Sequence, residues 1–298
     1  MSEIICAGWP ASWINAWLAA VGAAVLDERI RLSWTYDHEP VAVLSAEAAD
    51  PAAILSESWP SNEAVLGLPI ARHLQGFCEL KRTVPCEVFV ERARTARRHA
   101  SSWALSSTLT DLAVDEGGMA QHAPFDPSVP KGLTLHDRLT TIHGHVDLCT
   151  EQLQSTLSGH ANRVQANGLG FDHTRVGSLQ DATDPWVDPV VEALAFFALA
   201  ILPVRGQGVD GQLDRSANVR VRQNGWRRLL DSDGSLSFCW PAWRQPLDRY
   251  GIDALLDAWT PERQAAWPQF GICAAWRTVQ FRPTTKRDMT RAFGSARL

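Results

Sequence analysis

The sequence has none of the short motifs that mark the commonest nucleotide-binding and hydrolytic sites. It contains no GxxxxGK[ST] loop for phosphates and no GxSxG motif for a serine nucleophile. The Gly-Leu-Gly at residues 168–170 lacks the third glycine of a dinucleotide-binding loop, and none of the six cysteines belongs to a CxxC pair. These absences favour a protein that is not an enzyme and that carries no cofactor.

Signals for a membrane or for export are also missing. The most apolar segment, residues 189–204, is shorter than the roughly 18 residues of a membrane span and carries Glu192. The first residues, MSEII, have neither the basic region nor the long apolar run of a signal peptide. Scattered cysteines without a pairing pattern fit reduced thiols in a protein core. We therefore expect a cytoplasmic protein that has no membrane partner.

Apolar and aromatic residues are abundant. The chain has 298 residues, of which 45% are hydrophobic and 20% charged, and this suits one large or two ordinary globular domains. Thirteen tryptophans are many for this length, and burial of their large side chains is expected to place most of them in the core. A minority is expected to form stacking surfaces for nucleic-acid bases, as in proteins that bind single strands.

Hydrophobic periodicity and turn residues predict an α+β fold. We predict helices at residues 12–26, 51–58, 86–101, 133–157, 189–202 and 249–259. We predict strands at residues 31–37, 41–44, 218–223, 235–239 and 273–281. Ser12 is predicted to cap the first helix, and Gly22 within that helix predicts close packing against a neighbour.

These elements indicate mixed helices and short antiparallel sheets in an irregular arrangement, with a helical C-terminal half. Residues 113–132 are rich in glycine and proline and predict a linker or a long surface loop. The predicted domains are an N-terminal α+β domain at residues 1–130 and a helix-rich C-terminal domain at residues 131–298 with a basic tail.

Charge is distributed unevenly along the chain. Residues 203–298 contain 15 Lys and Arg against 9 Asp and Glu, a net of +6, so the whole-chain charge of −5 leaves −11 for residues 1–202. Within residues 277–298, six basic residues oppose a single aspartate. Such asymmetry favours contact between the C-terminal segment and a polyanion, with a solvated basic surface as the alternative.

Five histidines lie between residues 136 and 173. His143 and His145 flank one glycine, and within a helix this spacing directs the two rings apart, whereas helical zinc ligands are four residues apart. Neither His136 with the aspartate after it nor His173 with the aspartate before it provides the carboxylate cluster of a metal-dependent nuclease. We predict no metal site. A metal-dependent hydrolase that uses the histidines of residues 136–173 is the enzymatic alternative.

Arginine follows tryptophan at three places in the C-terminal part, at positions 226, 243 and 276. Arginine forks contact phosphates, and aromatic or guanidinium planes stack on unpaired bases. The segment RPTTKR at residues 282–287 adds three cations and two hydroxyl groups. The predicted nucleic-acid-binding residues are Arg227, Arg228, Arg244, Arg277, Arg282, Lys286, Arg287 and Arg291.

Three pieces of the chain share a pattern with one known family. They are residues 9–22 (WPASW…LAAVG), residues 170–203 (GFD, then PVVEALAFFAL) and residues 238–247 (FCWPAW…PL). The middle piece resembles the GFDP…ELLAFIGLQ segment of Csb-type, large-subunit-like proteins of type I-U (I-G) CRISPR surveillance complexes. His173 stands where the family pattern has proline, and no catalytic motif lies within the three pieces.

The resemblance implies a non-catalytic subunit of an RNA-guided type I complex (Cascade) in antiviral defence. Large subunits of this class recognise the short duplex beside the protospacer, help to open the strands and recruit the helicase-nuclease. The implied partners are guide RNA, target DNA, other subunits of the complex and the helicase-nuclease. Such a role needs positive grooves and aromatic platforms rather than a reaction centre. A scaffold subunit that contacts only proteins is the alternative.

Overall fold

Helices and short antiparallel sheets alternate along the chain. The structure, a computed structural model, describes residues 1–66, 83–85, 111–114, 119–122, 135–166, 168, 186–198, 226–227, 237–281 and 292–298. Within these ranges the fold is mixed α+β, which confirms the predicted fold class.

The N-terminal sheet is built from β1 (Ser2–Pro10), β2 (Arg31–Trp34) and β3 (Val41–Ala46) in the order β1-β3-β2. The sequence predicts β2 and β3 to within a few residues and misses β1. Gly8 and Pro10 weaken the local strand pattern of β1. Pairing with β3, which begins with Ser2 opposite Ala46, therefore stabilises a strand that its own sequence does not specify.

Helix α1 (Ile14–Leu26) lies at the centre of the fold and is buried on all sides from Ile14 to Val25. Its N-cap residue is Trp13, and the Trp13 side chain makes no capping hydrogen bond. The predicted cap at Ser12 is therefore wrong. A helix that is apolar all round is stabilised by tertiary packing, so it forms without a polar cap.

Short helices follow as α2 (Pro51–Ser58), α3 (Asn62–Leu66), α4 (Leu135–His143) and α5 (Thr150–Ser158). Helix α2 has the predicted bounds. The single helix predicted at residues 133–157 is wrong, because α4 ends before Gly144 and α5 begins only after Cys149. Glycine within a helix costs about 1 kcal/mol relative to alanine, and here the helix ends at that position.

A second antiparallel sheet consists of β4 (Thr83–Pro85), β5 (Asp111–Val114) and β6 (Met119–His122) in the order β4-β6-β5. The linker predicted at residues 113–132 therefore includes β6 and the end of β5, and in that part the prediction is wrong. The helix predicted at residues 86–101 lies outside the described residues.

Strands β7 (Val164–Gln165) and β8 (Trp186–Val187) pair with each other and lead into α6 (Pro189–Ala198). Every residue of α6 is buried, as the apolar run predicts, while residues 199–202 of the predicted helix lie outside the described ones. Asp188 caps α6, because its carboxylate accepts hydrogen bonds from the amides of Val190 and Val191 at 2.9 and 3.3 Å.

Helices α1 and α6 are in backbone contact where they cross. A Cβ atom added at Gly22 would overlap the carbonyl oxygen of Leu194, so no larger residue fits between the helices. The close packing predicted at Gly22 is confirmed. A buried polar link accompanies it, since the amide of Asn15 in α1 donates a hydrogen bond to the carboxylate of Glu192 in α6.

The C-terminal sheet consists of β9 (Trp226–Arg227), β10 (Ser237–Trp243), β11 (Ile272–Phe281) and β12 (Ala292–Arg297) in the order β12-β11-β10-β9. Helix α7 (Arg249–Ala258) and a 3-10 helix (Gln264–Phe270) connect β10 to β11. The sequence predicts α7 and β11 almost residue for residue, predicts the start of β10 and misses β12. The strand predicted at residues 218–223 lies outside the described part of the chain.

Strand β10 attaches the C-terminal sheet to the N-terminal half. The indole of Trp240 donates a hydrogen bond to the carbonyl of Ala11 at 2.7 Å, and that of Trp243 donates to the carbonyl of Leu32 at 2.9 Å. Just beyond β10, the backbones of Leu247 and Leu32 exchange two hydrogen bonds. The two sheets are therefore connected by specific polar contacts within an apolar junction.

Tryptophans fill this junction. Trp17 and Trp34 pack edge-on against Trp243, with ring centroids 6.4 and 6.1 Å apart. Seven of the eleven tryptophans whose side chains the structure describes are buried, namely Trp9, Trp17, Trp34, Trp240, Trp243, Trp259 and Trp276, which confirms the prediction that most tryptophans lie in the core. A single core includes side chains from both sides of residue 130, and the domain boundary predicted there lies outside the described residues.

Candidate nucleic-acid interface

The described residues contain three of the eight arginines and lysines predicted to bind nucleic acid. Arg244 directly follows β10, Arg277 lies in β11, and Arg227 is the last residue of β9. The remaining ones, Arg228, Arg282, Lys286, Arg287 and Arg291, lie outside the described residues. The site is therefore built around Arg244 and Arg277 and the residues that surround them.

Two indoles beside these arginines do not face solvent. Trp243, before Arg244, is fully buried, and Trp276, before Arg277, is also buried. The expectation that neighbouring indoles and guanidinium groups jointly form stacking surfaces is wrong at these two positions. Each indole packs into the junction between the sheets, because a side chain of this size is stabilised more by burial than by exposure.

A contact between two buried tryptophans, Trp34 and Trp243, brings an arginine and a tyrosine together at the surface. Trp34 contacts Trp243 in the core, so the chain that leaves Trp34 and the chain that leaves Trp243 emerge side by side. Tyr36 lies two residues after Trp34 and is 74% exposed. The guanidinium carbon of Arg244 lies over the Tyr36 ring, 4.8 Å from its centroid, which is a cation–π geometry.

The loop that carries Tyr36 is closed at its base. The amide of Thr35 donates to the carbonyl of Val41, and the amide of Val41 donates to the Thr35 hydroxyl at 3.1 Å. The carbonyl of Pro40 accepts a hydrogen bond from the amide of Ala11. The four exposed residues 36–39 therefore project from a fixed base.

A second arginine reaches the same loop from the end of β12. Arg297 is exposed and donates a hydrogen bond from its guanidinium to the carbonyl of His38 at 3.2 Å. Burial raises the pKa of the Cys273 thiol, whereas the positive charges of Arg244 and Arg297 lower it. We call Tyr36, His38, Arg244 and Arg297 the rim patch.

The arginines of the rim patch have no carboxylate partner among the described residues. Arg29 and Arg31, in contrast, are neutralised by carboxylates, since Arg29 pairs with Asp27 and Glu57 at 2.8 and 2.9 Å and Arg31 pairs with Glu47. An arginine without a carboxylate partner keeps an unpaired charge, and the N–H donors that it does not use within the protein can contact a ligand.

Acidic residues are nevertheless present beside the rim patch. Asp37 and Glu39 are exposed on the same loop. Their two negative charges equal in number the two positive charges of Arg244 and Arg297. The patch is therefore a mixed surface with localised positive groups. It is not a uniformly basic groove of the kind that follows a duplex backbone.

Arg277 lies elsewhere on the sheet. It is half-buried, has contacts of its own within the protein, and stands opposite Cys239 of β10 and Ala296 of β12. It follows Trp276, which is paired with Arg297, and because successive side chains of a strand point to opposite faces, Arg277 and Arg297 belong to opposite faces of the sheet. The structure therefore brings Arg244 together with Arg297 and leaves Arg277 outside the rim patch.

The sequence did not single out Tyr36, His38 or Arg297. Arg297 counted only as one charge of the basic segment, and Tyr36 lay in a predicted strand that in fact ends at Trp34. The signal that could have found them is long-range, namely the contact between Trp34 and Trp243. No local pattern contains that contact, because about 200 residues separate the two tryptophans.

The histidines do not form a shared site where the structure describes them. His143 is buried, stacks on Trp59 with ring centroids 5.6 Å apart, and places Nδ1 2.7 Å from the amide oxygen of Asn62. Burial lowers the pKa of His143, and a hydrogen bond with the Pro60 backbone, which acts to raise it, has the smaller effect. His145 and His160 are exposed. Among the described side chains, no three His, Cys, Asp or Glu residues are grouped closely enough to hold a metal ion.

No protein-family model, curated protein or solved structure matches this chain significantly. Within the described ranges, no helix has both the length and the apolar character that crossing a membrane requires.

Proposed function

We propose that this chain is a non-catalytic subunit of an RNA-guided type I CRISPR surveillance complex and that it contacts nucleic acid through the rim patch and the basic C-terminal segment. Membership of the complex is supported by the resemblance of the three sequence pieces. In that role the protein works in the cytoplasm, beside guide RNA and target DNA, and contributes to recognition of the duplex next to the protospacer, strand opening and helicase-nuclease recruitment.

The observation that carries the nucleic-acid contact is the pair of exposed arginines at the rim. Arg244, just after β10, and Arg297, at the end of β12, contact the same loop and lack carboxylate partners among the described residues. Neither guanidinium is in an ion pair with the nearby carboxylates of Asp37 and Glu39, so an anionic partner can form direct contacts with both. Phosphate groups are the anions that arginine forks bind with two parallel hydrogen bonds.

The connection between β11 and β12 supplies the second basic region. It spans residues 282–291 and contains four of the predicted binding residues, namely Arg282, Lys286, Arg287 and Arg291. Because β11 and β12 are antiparallel, this connection leaves the strands at Phe281 and Ala292, whereas Arg297 lies at the other end of β12. The two ends are about 17 Å apart along the strand, at about 3.3 Å per residue.

The test of this function is reconstitution with the products of the neighbouring genes, which under this proposal encode the backbone protein and the guide RNA of the complex. The chain is co-expressed with the backbone protein and guide RNA encoded beside its gene, and the complex is purified through a tag on the backbone protein. We expect the chain to be retained and guide-dependent binding of target DNA to be lost when it is omitted. Absence of the chain from the purified complex, or unchanged binding without it, would overturn the proposal.

Replacing the four basic residues of the connection by alanine tests its share of the contact. We expect the variant to stay in the complex, to bind target DNA more weakly and to show a salt slope that is flatter by up to about 3–4 units. Binding with fewer phosphate contacts releases fewer counterions. If affinity and slope are unchanged, the segment contacts protein subunits instead. Detection of stoichiometric metal and hydrolysis by the purified chain would favour the hydrolase alternative.

A further inference from the structure

We propose that Tyr36 and Arg244 form a platform for one unpaired base and that Arg297 contacts a phosphate beside it. This inference rests on the proposed function, since it assumes that the partner is a nucleic acid. It adds the chemical form of the ligand, a single strand whose base can leave its neighbours and lie against an aromatic ring.

The exposure of Tyr36 is the first argument. An aromatic side chain that is 74% exposed contributes little to the core, yet this one is held on a loop whose base is closed by backbone and hydroxyl hydrogen bonds. Arg244 lies over its ring and restricts the orientations of both side chains. A platform that is ordered before binding loses less conformational entropy when a base stacks on it.

The charge distribution is the second argument, because it separates single strands from duplexes. A duplex presents closely spaced phosphates and keeps its bases stacked inside, so it binds best to continuous positive surface. The rim patch has two arginines beside the carboxylates of Asp37 and Glu39. Such a surface attracts a duplex weakly, whereas one base on Tyr36 and one phosphate on Arg297 satisfy its polar and aromatic groups.

The chain contains a matched control for this platform. Tyr250 is 52% exposed, and the guanidinium carbon of Arg249 lies 4.9 Å from its ring centroid, so the local geometry resembles that of Tyr36 and Arg244. Arg249, however, is buried and forms an ion pair with Glu28 at 3.1 Å. An aromatic–arginine pair of the same kind is thus present without an exposed, unneutralised cation.

The experiment measures binding of a fluorescent 15-nucleotide single strand, and of the duplex of the same sequence, to the purified full-length chain by fluorescence anisotropy. We expect the single strand to bind more tightly than the duplex. Tyr36→Ala should weaken single-strand binding about tenfold, which lies within the range of base–aromatic stacking. Tyr36→Phe should retain most of the affinity, and Tyr250→Ala should bind like the unmodified protein.

The salt dependence separates the two kinds of contact. Tyr36→Ala should lower affinity equally at all salt concentrations because stacking releases no counterions, whereas Arg297→Ala should flatten the salt slope by about 0.7. The inference is overturned if the chain binds no oligonucleotide, if duplex binds better than single strand, or if Tyr36→Ala and Tyr250→Ala are equivalent. Any of these results can occur in a chain that still joins the guide-dependent complex, so the proposed function is judged separately by reconstitution.

Discussion

Helices α1 and α6 and the rim patch are subject to opposite physical constraints. In the helix pair, nearly every side chain is buried and the two backbones touch at Gly22, so changes of volume have to be absorbed by the packed neighbours. In the rim patch, Tyr36, Arg244 and Arg297 are exposed. Arg244 lies over the Tyr36 ring, and Arg297 donates a hydrogen bond to the backbone of the same loop. Substitutions there should change what the protein binds and leave its folding nearly unaffected.

Among the described residues, those that carry the family resemblance belong mainly to the packed regions. Gly22, the apolar run of α6 and the tryptophans of β10 lie where α1 crosses α6 or where the two sheets join. Tyr36 and Arg297, in contrast, lie outside all three pieces of similar sequence. The comparison teaches that a soft sequence pattern can identify packing constraints while leaving the exposed residues of a candidate site unidentified.

The largest expected effect is in the helix pair. Truncation of Phe197 to alanine should reduce the free energy of unfolding by about 3–5 kcal/mol, because the ring is fully buried and also packs edge-on against Trp59. Urea denaturation provides the measurement, with Tyr36→Ala as the exposed aromatic control, expected to change stability by less than about 0.5 kcal/mol. Similar losses in both variants would remove the distinction between the two regions.

The next effect concerns the backbone contact between the helices. Gly22→Ala should destabilise the protein by about 1–3 kcal/mol, because the new methyl group overlaps the Leu194 carbonyl and the helices have to separate. Gly144→Ala is the matched glycine control, since the nearest atom to an added Cβ there is the Thr140 carbonyl oxygen at 3.4 Å, an ordinary contact. Thermal unfolding of the two variants should therefore differ, and a tolerated Gly22→Ala would contradict the close crossing.

Elements with a strong local pattern were predictable from the sequence, and elements held by distant contacts were not. The apolar runs of α1 and α6 and the alternation of β11 specify their own structure. Strand β1 forms through its pairing with β3, and β12 through its pairing with β11. The break at Gly144 was missed because the flanking apolar residues maintain helical spacing through it.

The candidate site divides in the same way. Arg244 was predicted because the sequence places it beside tryptophan in a basic region, although its true neighbour is Tyr36 and not the buried Trp243. The partnership of Arg244 with Arg297 depends on strand order and on the tryptophan contact beneath the loop. Neither can be read from spacing along the chain.

A charge-matched pair of double variants sharpens the comparison at the level of binding. Arg244→Ala with Arg297→Ala should weaken single-strand binding through loss of the base platform and flatten the salt slope by about 0.7, since the phosphate contact of Arg297 is lost. Arg29→Ala with Arg31→Ala removes the same charge from arginines that already have carboxylate partners. If the two double variants lose affinity and slope equally, total charge decides binding and the rim patch has no special role.

The smallest expected effect tests the neutralised side of this comparison through pH. Partial burial alone would raise the pKa of Asp27, but hydrogen bonds from Arg29 and Ser58 outweigh it and lower the pKa to about 2 from its ordinary 3.8. A folded-state pKa below the unfolded value stabilises the protein above about pH 4, and this contribution is lost as pH falls towards 2. Its size should be below about 1 kcal/mol, because the partner Arg29 is about half exposed.

Asp27→Asn is the reference variant. Its stability deficit relative to the unmodified protein, measured by urea denaturation, should shrink between pH 5 and about pH 2. Protonation of the buried His143 affects both proteins alike and cancels in this difference. A deficit that stays constant over the whole range would show that the Asp27 carboxylate does not stabilise the fold through its charge, and that Arg29 is no better neutralised than the arginines at the rim.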